Sequence, residues 1–179
     1  MRQFVRLLAV IFVGLICRFP CQFYANTIHD FSITDIKGAV IPLSDYEGHL
    51  LMLVNVASFC GFTAQYEELQ AIYTRYYDRG FRIIGLPSND FFQEPNSEIE
   101  IQRFCQNKYA VTFPLSQKIR VNGQNAHPLY QFLTSEHGGR IKWNFTKFLI
   151  DKNGHVIDRF SPDTAPNDTS IIGVIEHYL

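Results

Sequence analysis

Leu50-Leu51-Met52-Leu53-Val54-Asn55-Val56-Ala57-Ser58-Phe59-Cys60-Gly61-Phe62-Thr63 carries an apolar strand straight into a cysteine. The run Leu50 to Ala57 has the continuous apolar character of a central strand covered on both faces. Past Cys60 the period changes. Phe62, Tyr66, Leu69, Tyr73 and Tyr76 are spaced four, three, four and three, which is one apolar stripe of a helix that stops at Arg79-Gly80. Phe81 to Leu86 is a second buried strand, and two such strands joined through a helix make a right-handed parallel crossover. Cys60 is thus predicted to open the helix. The first N–H groups of a helix lack internal partners, so a sulfur held over them is favoured as the nucleophilic thiolate.

Upstream, Phe31 to Thr34 and Ala39 to Pro42 flank Asp35-Ile36-Lys37-Gly38 as a short β-hairpin. Downstream, Ser97 to Lys108 reads as a helix opened by Ser97, with acids in its first turns and Cys105 near its far end. Phe113 to Ile119 is read as extended, and Pro128 to Glu136 as a helix with proline at an early position. Phe145 to Ile150 and Val156 to Phe160 flank the hairpin turn Asp151-Lys152-Asn153-Gly154, and Ser170 to Tyr178 forms a last helix. There is no internal repeat, linker or low-complexity tract. This order predicts an α/β domain with a central mixed β-sheet, helices on both faces and an N-terminal β-hairpin. The thioredoxin-like class is its natural match.

With 46% hydrophobic and 15% aromatic residues in 179, the chain can bury a proper core without disulfides. Arg2, Arg6 and Arg18 precede residue 25 and no acid does. Without them the rest of the chain holds 13 basic against 17 acidic residues, a net charge of −4 that gives no reason to expect nucleic-acid binding. Two early arginines followed by the apolar run Leu7 to Ile16 form the layout of an export signal over residues 1–25, with an uncleaved N-terminal anchor as the alternative. The run is short beside the about 20 apolar residues of a membrane span. Either reading places the domain at 26–179 outside the cytoplasm, periplasmic or secreted. The cysteines at 17, 21, 60 and 105 have no zinc-like pairing, and the six histidines are scattered singly, so neither a metal nor a cofactor is expected. Asn144-Phe145-Thr146 and Asn167-Asp168-Thr169 match the glycan-acceptor pattern, which is short enough to arise by chance.

Three clusters fall where strands of such a sheet end, the place α/β proteins put their sites. They are Cys60, the loop Pro87-Ser88-Asn89-Asp90-Phe91-Phe92-Gln93-Glu94-Pro95, and Ile141-Lys142-Trp143-Asn144-Phe145 with the only tryptophan. Together they offer a thiol, side-chain amides and an indole N–H. Neutral donors around a sulfur suit attack on a peroxide O–O bond, because they stabilise first the thiolate and then the departing oxygen. The product is a sulfenic acid on Cys60. Cys60-Gly61-Phe62-Thr63 lacks the second cysteine of a Cys-x-x-Cys disulfide exchanger.

Asn55 to Gln65, Gly85 to Pro95, Phe104 to Pro114 and above all Lys142-Trp143-Asn144-Phe145-Thr146-Lys147-Phe148-Leu149 resemble the signature blocks of the glutathione peroxidase family, from about Ile28 to the C-terminus. The resemblance implies a thioredoxin-like fold and a hydroperoxide reductase without cofactor. It makes Cys60 the peroxidatic residue, with Gln93, Trp143 and Asn144 completing a catalytic tetrad. Cys105 resembles the resolving cysteine of the branch recycled by a thioredoxin-like protein, and the short stretch Gln131 to Lys142 resembles the monomeric branch, whose open site admits lipid hydroperoxides. A disulfide needs Cα atoms within about 7 Å, so a Cys105 kept inside its helix farther from Cys60 would require that helix to unwind partly in turnover. A one-cysteine enzyme reduced by glutathione and a peroxide sensor or relay are the alternatives. Two departures stand out. Many members have Cys-Asn-Gln-Phe where this chain has Ser88-Asn89-Asp90-Phe91, and the stretch between Phe91 and Gln93 is one residue shorter than usual. A missing Cα step of about 3.8 Å would displace Gln93 unless the loop compensates.

Overall fold

The computed structural model describes residues 26–179, and the export-signal expectation for residues 1–25 lies outside them. Strand β3 (Leu50–Val56) is the centre of the fold, and all seven of its residues are buried. It pairs in parallel with β4 (Phe81–Pro87) and antiparallel with β5 (Lys147–Ile150), which in turn pairs with β6 (Val156–Phe160). The sheet order is β4-β3-β5-β6. Strands β1 (Ser32–Thr34) and β2 (Val40–Pro42) form the separate N-terminal hairpin. Its turn is held by the Asp35 carboxylate, which accepts from the N–H groups of Lys37 and Ala39.

Alternate residues of β3 point to opposite faces and so build two cores. Leu50, Met52, Val54 and Val56 pack with residues of α1 (Gln65–Tyr76), α2 (Glu98–Tyr109) and α4 (Thr169–Tyr178). Leu51 and Leu53 pack with Leu129, Tyr130 and Leu133 of α3 (Pro128–Glu136) on the other side. Helices therefore cover both faces of a mixed sheet, the thioredoxin-like arrangement that the sequence predicts.

Two local expectations are corrected. Helix α1 begins at Gln65, not at Cys60. The Thr63 hydroxyl accepts from the Cys60 N–H at 2.9 Å and lies 3.0 and 2.7 Å from the carbonyls of Ala57 and Cys60, which keeps the chain in tight turns until Ala64. Strand β5 begins at Lys147 rather than Phe145, because Phe145 turns the chain at φ 65°. The segment Phe113 to Ile119 forms isolated bridges instead of a full strand, Leu115 with Gly85 of β4 and Ser116 with Asp35. Gly85 permits that approach, since a Cβ there would lie 2.6 Å from Leu115 Cδ2.

Candidate active site

Cys60 sits just past the C-terminal end of β3 with 8% of its surface exposed. The turn that displaces the helix start also supplies a donor, since the Phe62 N–H points to Cys60 Sγ at 3.4 Å. The sulfur is thus served by a backbone turn, while the end of α1 lies further along the chain.

The two other clusters meet beside this loop. Asn144 is fully buried and its Nδ2 donates to Gln93 Oε1 at 2.9 Å, while its own Oδ1 is buried without a hydrogen-bond partner among the described residues. Gln93 in turn gives its carbonyl to the N–H of Phe59, next to Cys60, at 3.1 Å. The loop that carries Gln93 reaches this position by a tight turn. Phe92 takes a left-handed conformation at φ 59°, its N–H donates to Asn89 O, and the Asn89 side chain accepts from the Glu94 N–H. For a residue with a Cβ that conformation is strained. Phe92 bears the strain of the turn that brings Gln93 to Asn144.

Trp143 is 39% exposed and packs against Phe91 with ring centroids 5.1 Å apart. Its position is set by Asn55 in β3. The Asn55 Nδ2 donates to Trp143 O at 3.2 Å, its Oδ1 accepts from the Thr146 N–H at 3.1 Å, and its carbonyl accepts from the Phe145 N–H at 2.6 Å. The central strand thereby carries Cys60 at its end and clamps the Trp143-Asn144 turn from its edge.

Sequence reasoning missed Glu94. This carboxyl is fully buried, and its Oε2 accepts both the N–H and the hydroxyl of Ser58 at 2.8 Å each, while Oε1 has no partner among the described residues. Burial pushes its pKa up, against the Ser58 hydrogen bonds and the Lys118 charge that lower it. An acid beside Gln93 was visible in the sequence, but its burial was not.

Cys105 lies fully buried in α2, and both it and Cys60 are free thiols. Burial pushes the Cys105 thiol up to about 11; the neighbouring Tyr66 hydroxyl lowers it and the Glu94 charge raises it. Tyr66 is itself fully buried, and burial first, then Cys105, raises its pKa well above the ordinary phenol value. Phe59 and Phe104, the chain neighbours of the two cysteines, lie with ring centroids 6.3 Å apart and tilted by 44°, so the Cys60 loop and α2 pack together. Among the described residues no three His, Cys, Asp or Glu side chains converge as a metal site.

The glutathione peroxidase family model matches residues 28–134. The chain belongs to the glutathione peroxidase family. It is 52% identical over 145 residues to the glutathione peroxidase homolog BsaA of Halalkalibacterium halodurans, covering 78% of this chain and 92% of that one. It is 48% identical over 154 residues to the hydroperoxy fatty acid reductase gpx1 of Synechocystis, covering 80% and 91%. The crystal structure of Trgpx in its apo form superposes with a TM-score of 0.70 at 36% identity, covering 86% of this chain and 96% of that one. Membership makes this chain a peroxidase that reduces hydroperoxides by thiol chemistry. In the loop after β4, Ser88 is buried and the Asp90 carboxylate accepts the backbone N–H groups of Val121 and Asn122.

Proposed function

We propose that this glutathione peroxidase reduces hydrogen peroxide and organic or lipid hydroperoxides through Cys60. The Cys60 thiolate attacks the terminal peroxide oxygen, the O–O bond breaks, and the departing oxygen takes a proton to leave as water or an alcohol. Cys60 is left as a sulfenic acid. Gln93, Asn144 and the Trp143 indole N–H serve as neutral donors to sulfur and to the departing oxygen. The observation that carries this reading is the Asn144 to Gln93 hydrogen bond, continued through the Gln93 carbonyl to the Phe59 N–H, which links the Trp143-Asn144 turn and the Gln93 loop to the residue before Cys60. Lipid substrates are supported by the likeness to a hydroperoxy fatty acid reductase and by the exposed rim of Phe59, Phe92 and Trp143.

Cys105 then attacks the sulfenic sulfur, forming a Cys60–Cys105 disulfide and releasing water, and a thioredoxin-type dithiol reduces that disulfide. A fully buried thiol raised to about 11 is a poor nucleophile where it stands, which supports an opening of α2 at each turnover. The same burial favours a second reading, in which Cys105 is inert core and glutathione reduces Cys60 directly. The charge pattern of residues 1–25 supports action outside the cytoplasm, and the short stretch Gln131 to Lys142 supports a monomer.

Mass spectrometry after one equivalent of peroxide tests the scheme. The parent chain should gain an internal disulfide and Cys105→Ser a single oxygen at Cys60, while Cys60→Ser should consume no peroxide. Thioredoxin-supported turnover that survives in Cys105→Ser would favour the glutathione reading, and one peroxide consumed per chain without recycling would mark a relay. The same spectrum of the exported protein reports whether residues 1–25 are removed.

A further inference from the structure

Asn89, Asp90 and Phe92 of the loop that carries Gln93 form one wall of a cleft of about 490 Å³, which Arg120, Asn122 and Arg140 line as well. Its walls are tied together. The Asp90 Oδ2 accepts from the N–H groups of Val121 and Asn122 at 2.8 and 2.9 Å, and its Oδ1 lies 3.5 Å from Arg120 Nε. The Asn122 side chain exchanges two hydrogen bonds with the backbone of Ile141, and the Arg159 guanidinium holds the carbonyls of His137, Gly139 and Arg140. Arg120 and Arg140 are therefore presented from two braced segments.

The charge of the cleft is unbalanced toward the positive. Asp90 divides itself between two N–H groups and one edge of Arg120, whose side chain remains 65% exposed, and among the described residues no other carboxylate lines the cleft. Arg140 is exposed, and Lys142 beside it is exposed as well. Planar guanidinium groups suit a carboxylate, which each can take in two parallel hydrogen bonds. Phe92 adds an apolar lip, 91% exposed, and precedes Gln93 directly. Arg140 is three residues from Trp143, a span of at most about 11 Å. A ligand with an anionic head, an apolar chain and an oxidised carbon some way along it fits this sequence of features.

We propose that the cleft is a carboxylate subsite, in which Arg120 and Arg140 hold the head of a fatty acid hydroperoxide while Phe92 packs its acyl chain and the peroxide group reaches Cys60. The assignment rests on the reading of Cys60 as the peroxidatic residue. Glutathione also offers carboxylates, but it has no long apolar chain for Phe92 to cover.

The test compares kcat/KM for linoleic acid hydroperoxide, its methyl ester and tert-butyl hydroperoxide, with the lipids kept below micelle formation. The parent enzyme should prefer the acid to the ester by about tenfold, and the preference should shrink as salt is added. Arg140→Gln and Arg120→Gln should each reduce the acid-to-ester ratio at least threefold. Arg140→Gln is the cleaner variant, because Arg120 also braces Asp90. Equal use of acid and ester by the parent enzyme overturns the proposal. So do variants that lose acid and ester alike, or that raise the KM for glutathione with the acid-to-ester ratio intact. Absence of turnover with all three peroxides overturns the Cys60 reading as well, so the two failures are told apart by tert-butyl hydroperoxide.

Discussion

Ser58 gives both its N–H and its hydroxyl to one oxygen of Glu94, two residues before Cys60. Removing that acceptor leaves two buried donors unpaired, each costing about 1–3 kcal/mol. Glu94→Ala is therefore expected to lower stability in urea unfolding by about 2–4 kcal/mol and to slow oxidation of Cys60 by peroxide, because the loop that holds the sulfur loses its anchor. Glu94→Gln keeps one acceptor oxygen and should cost clearly less on both measurements. Asn55 poses the same question at the Trp143 turn, where its amide satisfies Trp143 O and the Thr146 N–H. Asn55→Leu should destabilise the chain by about 2–3 kcal/mol and shift the emission of its single tryptophan toward the exposed value. Neither residue could be weighed from the sequence. The chain names Glu94 and Asn55 plainly, but a carboxyl beside an exposed loop and an amide within a strand become informative only once their burial and partners are known. The strand ends marked the clusters that hold Cys60, Gln93, Trp143 and Asn144, the family resemblance singled out these four, and the structure joins two of them directly, Asn144 to Gln93.

Helix α2 shows where sequence signals suffice. Its start was expected at Ser97, and Ser97 caps it in a reciprocal pair with Glu100. Helix α1 shows where they fail, since the apolar stripe continues back to Phe62 while the Thr63 hydroxyl holds the backbone in turns. Periodicity records which side chains face the core and not which peptide groups close the ladder. The far end of α2 offers a test of its opening. Ala110 ends the helix in the left-handed conformation at φ 50°, where glycine is the favoured residue. Ala110→Gly relieves that strain and is expected to stabilise the chain by about 0.5–1 kcal/mol. If Cys105 must leave the helix to reach Cys60, the same gain holds the helix closed. Disulfide formation after a peroxide pulse should then slow by about two- to fivefold, at 1.4 kcal/mol per factor of ten, while sulfenic acid formation is unaltered. Rapid-quench mass spectrometry separates the two steps, and an unchanged disulfide rate would mean that α2 stays folded.

At the scale of the molecule, the sheet order follows from the order of elements. A parallel crossover at the middle and an antiparallel hairpin at the end leave β3 between β4 and β5, and the apolar run Leu50 to Val56 already marks it as the strand buried on both faces. What the pattern does not carry is the cost of burying particular groups, and Cys105 measures that cost for the whole fold. Its thiol rises from an ordinary 9.0 to about 11 because it is buried in the core that α1, α2 and α4 share. Between those values the unfolded chain has released the proton and the folded chain has not, so the folded state binds more protons and stability falls as pH rises. The loss reaches about 2 kcal/mol by pH 11, at 1.36 kcal/mol per unit. Lys147, whose buried ammonium is pulled down to about 8, acts with the opposite sign over much of the same range, and Tyr46, raised by burial to about 12, begins to act at its upper end. Both are shared by the parent chain and Cys105→Ala, so the difference between the two cancels them and leaves the thiol together with its coupling to Tyr66. Urea unfolding of both proteins under reducing conditions should show the parent's advantage shrinking by about 2 kcal/mol between pH 8.5 and pH 11. A difference that stays constant across that window would mean that the thiol ionises as readily in the folded chain as in the unfolded one, and the burial that keeps Cys105 silent until α2 opens would have to be abandoned.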